Sequence, residues 1–265
     1  MNFFKQIAKK NSHSLIIKPL AGLGRSINRF YENRNHHART NGEFTVLSKL
    51  AQLEPKLIFD VGANVGDYAL MVKQTNPKAT VFSFEPVEST FRELQKNVLE
   101  RSLSDVITVN KGLYKENKSI IINIYPGHEH ASIHDLKGVS YSKTGQKAIE
   151  VVTGDSFLEE SEWDFIDLLK LDIEGAEMDA LKGFEKTLEK KRIRAIQFEY
   201  GYINISSRIL LCDFYDFFSA HGYILGKIYP RRVEFREYAF KHEDFIGPNF
   251  MAVHSSDQEL IKLLS

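Results

Sequence analysis

The sequence predicts an α/β fold, with an open and mostly parallel sheet that is covered by helices on both faces. Leu57–Val61 is a short apolar run without the alternation of a half-exposed strand, which is typical of a strand buried on both faces. A glycine-containing turn at residues 62–66 follows, and then a helical pattern that stops at Asn76 and Pro77. Thr80–Phe84 is predicted as the next strand. This order of strand, turn, helix and strand indicates a parallel sheet.

The remaining elements continue this alternation of strands and helices, except that two strands at residues 119–125 and 148–152 have no helix between them. A helix from Glu43 leads into the first strand, another helix follows Pro86, and Val106–Val109 is the third strand. Residues 119–125 and 148–152 are predicted as a further strand and an edge strand. The later strands are predicted at residues 165–171, 193–198, 223–229 and 249–254, with a helix after Gly175 and a long connection at residues 230–248.

Composition limits the class of protein. The 265 residues include 35 Lys or Arg and 35 Asp or Glu, so the formal net charge is zero and no global positive field is available to attract nucleic acid. Cys212 is the single cysteine, which excludes an intramolecular disulfide and favours a reducing compartment. We therefore expect a cytoplasmic protein that does not act on nucleic acid.

The chain is predicted to divide into a helical connector segment at residues 1–42 and a main domain at residues 43–265. The first segment is basic and polar, and it has no apolar run long enough for a membrane span or a signal peptide. Phe3, Phe4 and Ile7 lie beside lysines, a pattern compatible with a short amphipathic helix that rests weakly on a membrane. A helix packed on the domain, or a mobile terminus, is the interpretation that we favour.

The turn at residues 62–66 is suited to a nucleoside ligand. Backbone N–H groups at a strand-to-helix turn point towards a bound ligand. A dinucleotide fingerprint requires glycine where this chain has Asn64, so close contact with a pyrophosphate is not expected. Glu85 ends the next strand, where an acidic side chain can accept hydrogen bonds from ribose hydroxyls. The predicted ligand has a ribose but no pyrophosphate, and a turn that serves only as scaffold is the alternative.

Two motifs resemble one known superfamily. The pattern D-x-G-x-N-x-G at residues 60–66, followed by F-E-P at residues 84–86, is similar to the cofactor motifs of class I S-adenosylmethionine-dependent methyltransferases. The segment L-K-L-D-I-E-G-A-E at residues 169–177 resembles the signature of the FkbM-type branch. The resemblance implies a Rossmann-like sheet of seven strands with a reversed C-terminal hairpin, and it implies S-adenosylmethionine as the cofactor.

The resemblance also implies which residues hold the cofactor. Asp60 and the turn from Gly62 to Gly66 are expected to bind the methionine part, and Glu85 the ribose. Gly112 is expected near the adenine edge, although an ordinary turn explains this glycine equally well. The predicted cofactor-binding residues are Asp60, Gly62, Asn64, Gly66, Tyr68, Glu85, Pro86, Gly112 and Asp172.

Carboxylates at two strand ends are the candidates for catalysis. Asp172 and Glu199 follow the fourth and fifth parallel strands, so they face the same sheet edge as the cofactor turn. Glu174 is a third candidate, although helix capping and dipole compensation can also explain these acids. A base is needed to take the proton of an acceptor hydroxyl, and Asp172 or His134 could serve. A divalent metal on Asp172 and Glu199 is a second route, but the sequence offers no complete ligand set.

The stretch at residues 126–155 has no helical period and contains several histidine and hydroxyl side chains. A loop of this length inside a compact domain is usually functional or disordered. Because it precedes the fourth parallel strand, we expect it to cover the ligand-binding edge as an acceptor-binding lid. A flexible excursion with exposed histidines is the alternative. The side chains concerned are His128, His130, Ser132, His134 and Tyr141.

The predicted function is methyl transfer from S-adenosylmethionine to an acceptor hydroxyl. By resemblance, the acceptor is a sugar, a glycan or another small molecule. An N-methyltransferase of the same fold is one alternative, and a non-catalytic glycan-binding scaffold that kept the cofactor cradle is another. The sequence does not indicate an oligomeric state or the identity of a metal.

Overall fold

The computed structural model describes residues 9, 10, 12, 14, 15, 17–126, 131–138 and 142–265. The predictions that concern Phe3, Phe4, Ile7, His128, His130 and Tyr141 fall outside these residues.

The described residues form the following elements. The helices are α1 Ile17–Tyr31, α2 Glu43–Leu50, α3 Asp67–Thr75, α4 Glu88–Glu100, α5 Gly154–Glu159, α6 Glu177–Lys182, α7 Glu185–Glu189, α8 Asn204–Ser207, α9 Leu211–Ala220 and α10 Gln258–Leu264. The strands are β1 Leu57–Val61, β2 Thr80–Phe84, β3 Val106–Val109, β4 Gly112–Leu113, β5 Lys118–Ile124, β6 Ala131–Ser132, β7 Gly145–Val152, β8 Ile166–Leu171, β9 Ile193–Glu199, β10 Tyr223–Tyr229, β11 Arg232–Phe235 and β12 Asn249–His254. Short 3₁₀ turns lie at Ala51–Leu53 and Phe240–His242.

The main sheet is open and mostly parallel, as predicted. Its strand order is β11-β10-β12-β9-β8-β1-β2-β3. The strands from β3 to β9 in this order are parallel, and β12 runs antiparallel between β9 and β10. This is a Rossmann-like sheet with a reversed strand near the C terminus. It has eight strands rather than seven, because Arg232–Phe235 pairs with β10 instead of remaining in a connection.

Both faces of the main sheet are buried, which explains the missing alternation in β1. Leu57, Phe59 and Val61 pack into the apolar core on one face, together with residues of α6, α7 and α9. Ile58 packs into the core on the other face, under α2, α3 and α10. Every side chain of β1 is therefore inside the protein.

A second sheet of four strands interrupts the βα rhythm, in the order β4-β7-β5-β6. β5 and β7 pair antiparallel from Lys118↔Val151 to Ile124↔Gly145. The prediction of a long irregular loop at residues 126–155 is therefore wrong for β6 and for the first half of β7, whereas the edge strand predicted at residues 148–152 lies within β7. The first half of β7 is exposed on both faces, and only Ile149 and Val151 are buried, so its sequence has little strand periodicity.

The chain between α1 and α2 is fastened to the main sheet. The Nδ2 atom of Asn33 donates to the carbonyl oxygens of Asn41, at 2.7 Å, and Ile228, at 3.0 Å. Just before it, Glu32 pairs with Lys227 at 3.1 Å. By contrast, no residue of α1 is buried. The division of the chain at residue 42 stays a prediction.

Candidate active site

The turn after β1 is tightly enclosed by backbone. The N–H groups of Gly62 and Ala63 both donate to the carbonyl oxygen of Phe84, at 3.0 and 2.9 Å. Gly62 has φ +81°, and a Cβ atom placed on it would lie 1.9 Å from the carbonyl oxygen of Asp172. Only glycine fits here, because both the conformation and the space exclude a side chain.

Glu85 lies at the carboxyl end of β2 and faces this turn. Its carboxylate accepts hydrogen bonds from the N–H groups of Asn64, at 3.2 Å, and Val87, at 2.8 Å. The side chain is 7% exposed. Burial, against the opposing effect of those two hydrogen bonds, raises the pKa of Glu85 to about 7. The acid is therefore positioned in advance and can change its protonation state near neutral pH.

A row of polar side chains crosses three central strands beneath the cleft. Asp60 on β1 is in register with Lys170 on β8, and Lys170 is in register with Gln197 on β9. The Nζ atom of Lys170 lies 3.2 Å from Asp60 and 3.4 Å from Asp172. It also lies 4.8 Å from the centre of the Tyr68 ring. Burial alone would lower the pKa of Lys170, but its acidic neighbours raise it, so the ammonium group stays charged.

Glu43, the first residue of α2, joins this row from above. Its carboxylate accepts hydrogen bonds from Asn41 at 2.6 Å, Gln197 at 2.8 Å and Asn249 at 3.0 Å. The hydroxyl of Tyr68 donates to the side-chain oxygen of Gln197 at 3.1 Å. These contacts fix the helix over the sheet edge, where the predicted site residues lie.

A pair of carboxyl groups occupies the opposite end of the cleft. Asp172 and Glu199 both line this end of the cleft. Burial and the charges of Asp172, Glu174 and Glu177 raise the pKa of Glu199 well above its ordinary value. The Nδ1 atom of His36 lies 3.7 Å from Glu199. Partial desolvation of the half-exposed ring and the nearby Arg34 lower the pKa of His36, which favours the neutral ring near pH 7.

The buried side chain of Glu177 accepts hydrogen bonds from the backbone of the turn after β8. Its Oε1 atom accepts hydrogen bonds from the N–H groups of Ile173, at 3.0 Å, and Gly175, at 3.2 Å. Burial raises the pKa of Glu177 to about 8. From the other side, the hydroxyl of Ser132 donates to the carbonyl oxygen of Glu174 at 2.7 Å. Glu177, the third acid of the motif at residues 169–177, therefore stabilises the shape of the turn.

His134 lies against the same turn. Its Nε2 atom is 3.1 Å from the carbonyl oxygen of Gly175, and its carbonyl oxygen accepts a hydrogen bond from Asn123. The ring is not among the residues that line the cleft. The structure therefore connects His134 to the scaffold of the turn, and its predicted role as a base remains a prediction.

A single cleft of about 900 Å³ brings most of the predicted site residues together. Asp60, Gly66 and His134 lie outside its lining: Asp60 is completely buried below it, and Gly66 caps α3. The predicted residues that line it are Gly62, Asn64, Tyr68, Glu85, Pro86, Gly112, Asp172, Glu174 and Glu199.

The second sheet supplies an apolar wall of this cleft. Ile120, Ile122 and Ile124 alternate along β5, and Ile149 and Val151 alternate along β7. These side chains form one cluster with Val87. The wall was not predicted, because it depends on the pairing of β5 with β7.

Three polar site residues were also missed by sequence reasoning. Lys170 had a detectable signal, since a lysine within an apolar, fully buried strand needs an acidic partner. The sequence predicts Glu43 only as the first residue of a helix. His36 lies in the segment that is predicted as a basic and polar connector. Neither has a local signal, because their partners Gln197 and Glu199 are far away in the sequence.

The residues present fit a nucleoside cofactor. The Oδ1 atom of Asn64 is buried without a protein hydrogen-bond partner, on the cleft wall beside Glu85. Such an acceptor is suited to an ammonium group of a ligand, and Glu85 is suited to a ribose. In the described part of the chain, no three His, Cys, Asp or Glu side chains come together as a metal site.

A nucleoside-type cradle beside a group of acids, at the carboxyl edge of a Rossmann-like sheet, defines a cofactor-binding α/β protein. The chain matches the Methyltransferase FkbM domain over residues 60–225. It therefore belongs to the FkbM methyltransferase domain family.

Three relatives illustrate this membership. The chain is 29% identical over 148 residues to Methyltransferase 1 of Beauveria bassiana (strain ARSEF 2860), covering 50% of this chain and 59% of that protein. It is 29% identical over 148 residues to Hexuronic acid methyltransferase AglP of Haloferax volcanii, covering 56% and 58%. It is 28% identical over 161 residues to 2-O-methyltransferase NoeI of Sinorhizobium fredii, covering 56% and 64%. Each match spans less than two thirds of the relative's own length.

Proposed function

We propose that this protein transfers a methyl group from S-adenosylmethionine to a hydroxyl group of a sugar or glycan. The observation that carries the proposal is that one cleft holds both the nucleoside-type cradle around Glu85 and the group of Asp172, Glu199 and His36. The names of two relatives, a hexuronic acid methyltransferase and a 2-O-methyltransferase, support a sugar hydroxyl as the acceptor.

At the cofactor end, the chain's own groups match the cofactor's charges. Glu85 would accept hydrogen bonds from the ribose hydroxyls, and Asn64 would accept one from the amino group. Asp172 and Glu174 line the cleft, and their charges help to raise the pKa of Glu199, so the potential at the strand ends is negative. When bound, S-adenosylmethionine would supply the methyl group of its sulfonium, and S-adenosylhomocysteine would be the leaving group as the acceptor oxygen bonds in line to the methyl carbon. A negative cleft favours this cation over a product that has lost the sulfonium charge.

At the acceptor end, His36 would act as the base. Its pKa is lowered, so the neutral ring can accept the hydroxyl proton near pH 7. Glu199, at 3.7 Å from Nδ1, would orient the ring. Asp172, which lines the same end of the cleft, would share a hydrogen bond with Glu199 and keep that carboxyl group in place. Arg34, which also lines the cleft, would favour an acidic sugar over a neutral one.

Titration of S-adenosylmethionine into the purified protein tests the cofactor part of the proposal. We expect Glu85→Ala to raise the Kd by about 5- to 150-fold, which corresponds to the loss of hydrogen bonds to a charged group. Glu88→Ala is the matched control, because Glu88 begins α4 close by and its side chain is 57% exposed. Absence of binding by folded wild-type protein would exclude the proposed function.

Formation of S-adenosylhomocysteine with a panel of acceptors tests the reaction. The panel contains a methyl glucuronide, a methyl glucoside and a matched amino sugar. We expect turnover with the hydroxyl acceptors, fastest with the uronic acid, and Arg34→Ala should reduce that preference. Turnover only with the amino sugar would indicate N-methylation, and tight cofactor binding without any turnover would favour the non-catalytic alternative.

A further inference from the structure

Helix α1 presents an apolar face that no part of the described chain covers. Leu20, Leu23, Ile27 and Phe30 recur at helical spacing, and they are 51%, 59%, 58% and 84% exposed. No residue of this helix is buried. Four large apolar side chains along one exposed stripe mark an interaction surface.

The opposite face of α1 is basic. Lys18, Arg25 and Arg29 also recur at helical spacing, and the centre of this set lies about 160° from the centre of the apolar set at 100° per residue. The helix contains no acidic residue. An apolar stripe with lysine and arginine on the polar face is the pattern of a helix that lies in a membrane interface.

Charge is distributed unevenly along the whole chain. Residues 1–42 contain eight Lys or Arg and one acid, Glu32, although the chain as a whole has 35 of each sign. The rest of the chain therefore has an excess of acids, which an anionic surface repels. This asymmetry orients the protein with its N-terminal segment towards such a surface.

The intrinsic helix propensity of α1 is low. It is 15 residues long and includes Pro19, Gly22 and Gly24. Helices of this length are marginal in water unless an apolar face is buried. Covering the apolar face would therefore stabilise the helix itself.

The helix also has a fixed position relative to the cleft. Immediately after α1, Glu32 pairs with Lys227 at 3.1 Å, and Asn33 is bonded to the backbone of β10. Arg34 and His36, which line the cleft, follow directly. A surface that binds α1 is therefore close to the cleft entrance.

We propose that α1 binds the surface of an anionic phospholipid bilayer, with its apolar face at the boundary of the acyl chains and its basic residues among the headgroups. Across the described ranges of the chain, no helix is long and apolar enough to cross a membrane. Binding at the interface requires only the 15 residues of α1.

Co-sedimentation of the full chain with vesicles tests this proposal without any acceptor. We expect at least about tenfold stronger binding to phosphatidylcholine vesicles containing about 30 mol% phosphatidylglycerol than to pure phosphatidylcholine, and a decrease at high salt. The double substitution Leu23→Gln and Ile27→Gln should abolish the binding. Arg25→Glu should weaken it several-fold.

Helix α4 provides matched controls. Leu99 is 80% exposed and the side chain of Lys96 is 67% exposed. Leu99→Gln therefore makes an apolar-to-polar change away from α1, and Lys96→Glu reverses a charge there. Both controls should bind vesicles like the wild type, and all variants should bind S-adenosylmethionine equally. The proposal is overturned if the wild type does not bind anionic vesicles, or if the α4 variants lose binding as fully as the α1 variants. It is also overturned if the α1 substitutions instead dissociate a dimer, because the face would then bind a second copy of the chain.

Discussion

The two ends of the cleft are built in different ways. At the cofactor end, the glycine turn and Glu85 come from one βαβ unit, and backbone hydrogen bonds inside that unit hold them. At the acceptor end, His36 and Glu199 come from separate parts of the chain. The cofactor end is therefore specified locally, whereas the acceptor end exists only in the folded molecule. This comparison predicts that substitutions at the cofactor end lower stability or cofactor affinity, and that substitutions at the acceptor end lower turnover.

The largest effect is expected for Gly62→Ala. The added Cβ would lie 1.9 Å from the carbonyl oxygen of Asp172, in a backbone conformation with φ +81°. β1 and the turn after β8 would have to separate, which should lower the free energy of unfolding by about 5 kcal/mol or more. Urea unfolding measures this change.

Gly138→Ala is the matched control for the backbone conformation. Gly138 also has a positive φ, +74°, but nothing lies within 4 Å of its added Cβ. Gly138→Ala should lower the free energy of unfolding by about 1–2 kcal/mol, which corresponds to the strain of the left-handed conformation alone. Equal losses for the two variants would mean that the tight enclosure of Gly62 has no energetic importance.

The second largest effect on stability is expected for Lys170, the buried cation at the base of the cleft. Lys170→Met leaves Asp60 buried without its charge partner, which should cost about 3–5 kcal/mol of stability. Lys186→Met is the control, since Lys186 and its partner Glu159 have side chains that are 65% and 63% exposed. That variant should change stability by less than about 1 kcal/mol. Similar urea midpoints for both variants would contradict a structural role for the buried pair.

The same contrast explains what the sequence could predict. The bounds of β1, β2 and β3 agree with the structure, because each strand is a short apolar run bounded by helix and turn signals that can be recognised locally. The turn at residues 62–66 and Glu85 could be singled out from the sequence for the same reason, since their spacing is a local property of one βαβ unit, and their role in cofactor binding stays a prediction.

Other parts of the cleft could not be predicted in this way. The edge strand predicted at residues 148–152 agrees with the second half of β7, but the first half is exposed and becomes a strand through its pairing with β5. The sequence describes the segment around His36 only as a polar connector. In the structure, Asn33 donates hydrogen bonds to Asn41 and to β10, and these bonds fix the segment to the sheet. β11 was missed similarly, because its four residues are ordered by pairing at the sheet edge. Such elements depend on tertiary contacts that no local period encodes.

A third prediction sharpens the description of the cofactor end. The pKa of Glu85 is raised to about 7 in the free protein, and the carboxylate is the form that accepts ribose hydrogen bonds. Cofactor affinity should therefore increase as the pH rises towards 7, by up to about tenfold per pH unit, and level off above it. Glu85→Gln should remove this part of the pH dependence, as measured by calorimetric titration between pH 5.5 and pH 8.5. An unchanged slope in the variant would assign the dependence to another group.

The smallest effect on stability is expected at the acceptor end, for His36→Asn. The His36 side chain is 56% exposed, so the variant should unfold within about 0.5 kcal/mol of the wild type and bind the cofactor equally well. Turnover should nevertheless fall by about 10²- to 10⁴-fold, the usual contribution of a positioned base. His37→Asn is the matched control, because His37 is adjacent and also lines the cleft.

The pH profile of kcat/KM separates His36 from the carboxyl groups as the base. The neutral ring is the active form and its pKa lies below the ordinary value of 6.5, so wild-type activity should decline only below that pH. This decline, the acidic limb of the pH profile, should disappear in His36→Asn. If Glu199 were the base, its raised pKa would place the decline well above 4.5, and the limb would persist in His36→Asn. A persistent limb would therefore transfer the role of base to Glu199 and leave His36 as a residue that only contacts the acceptor.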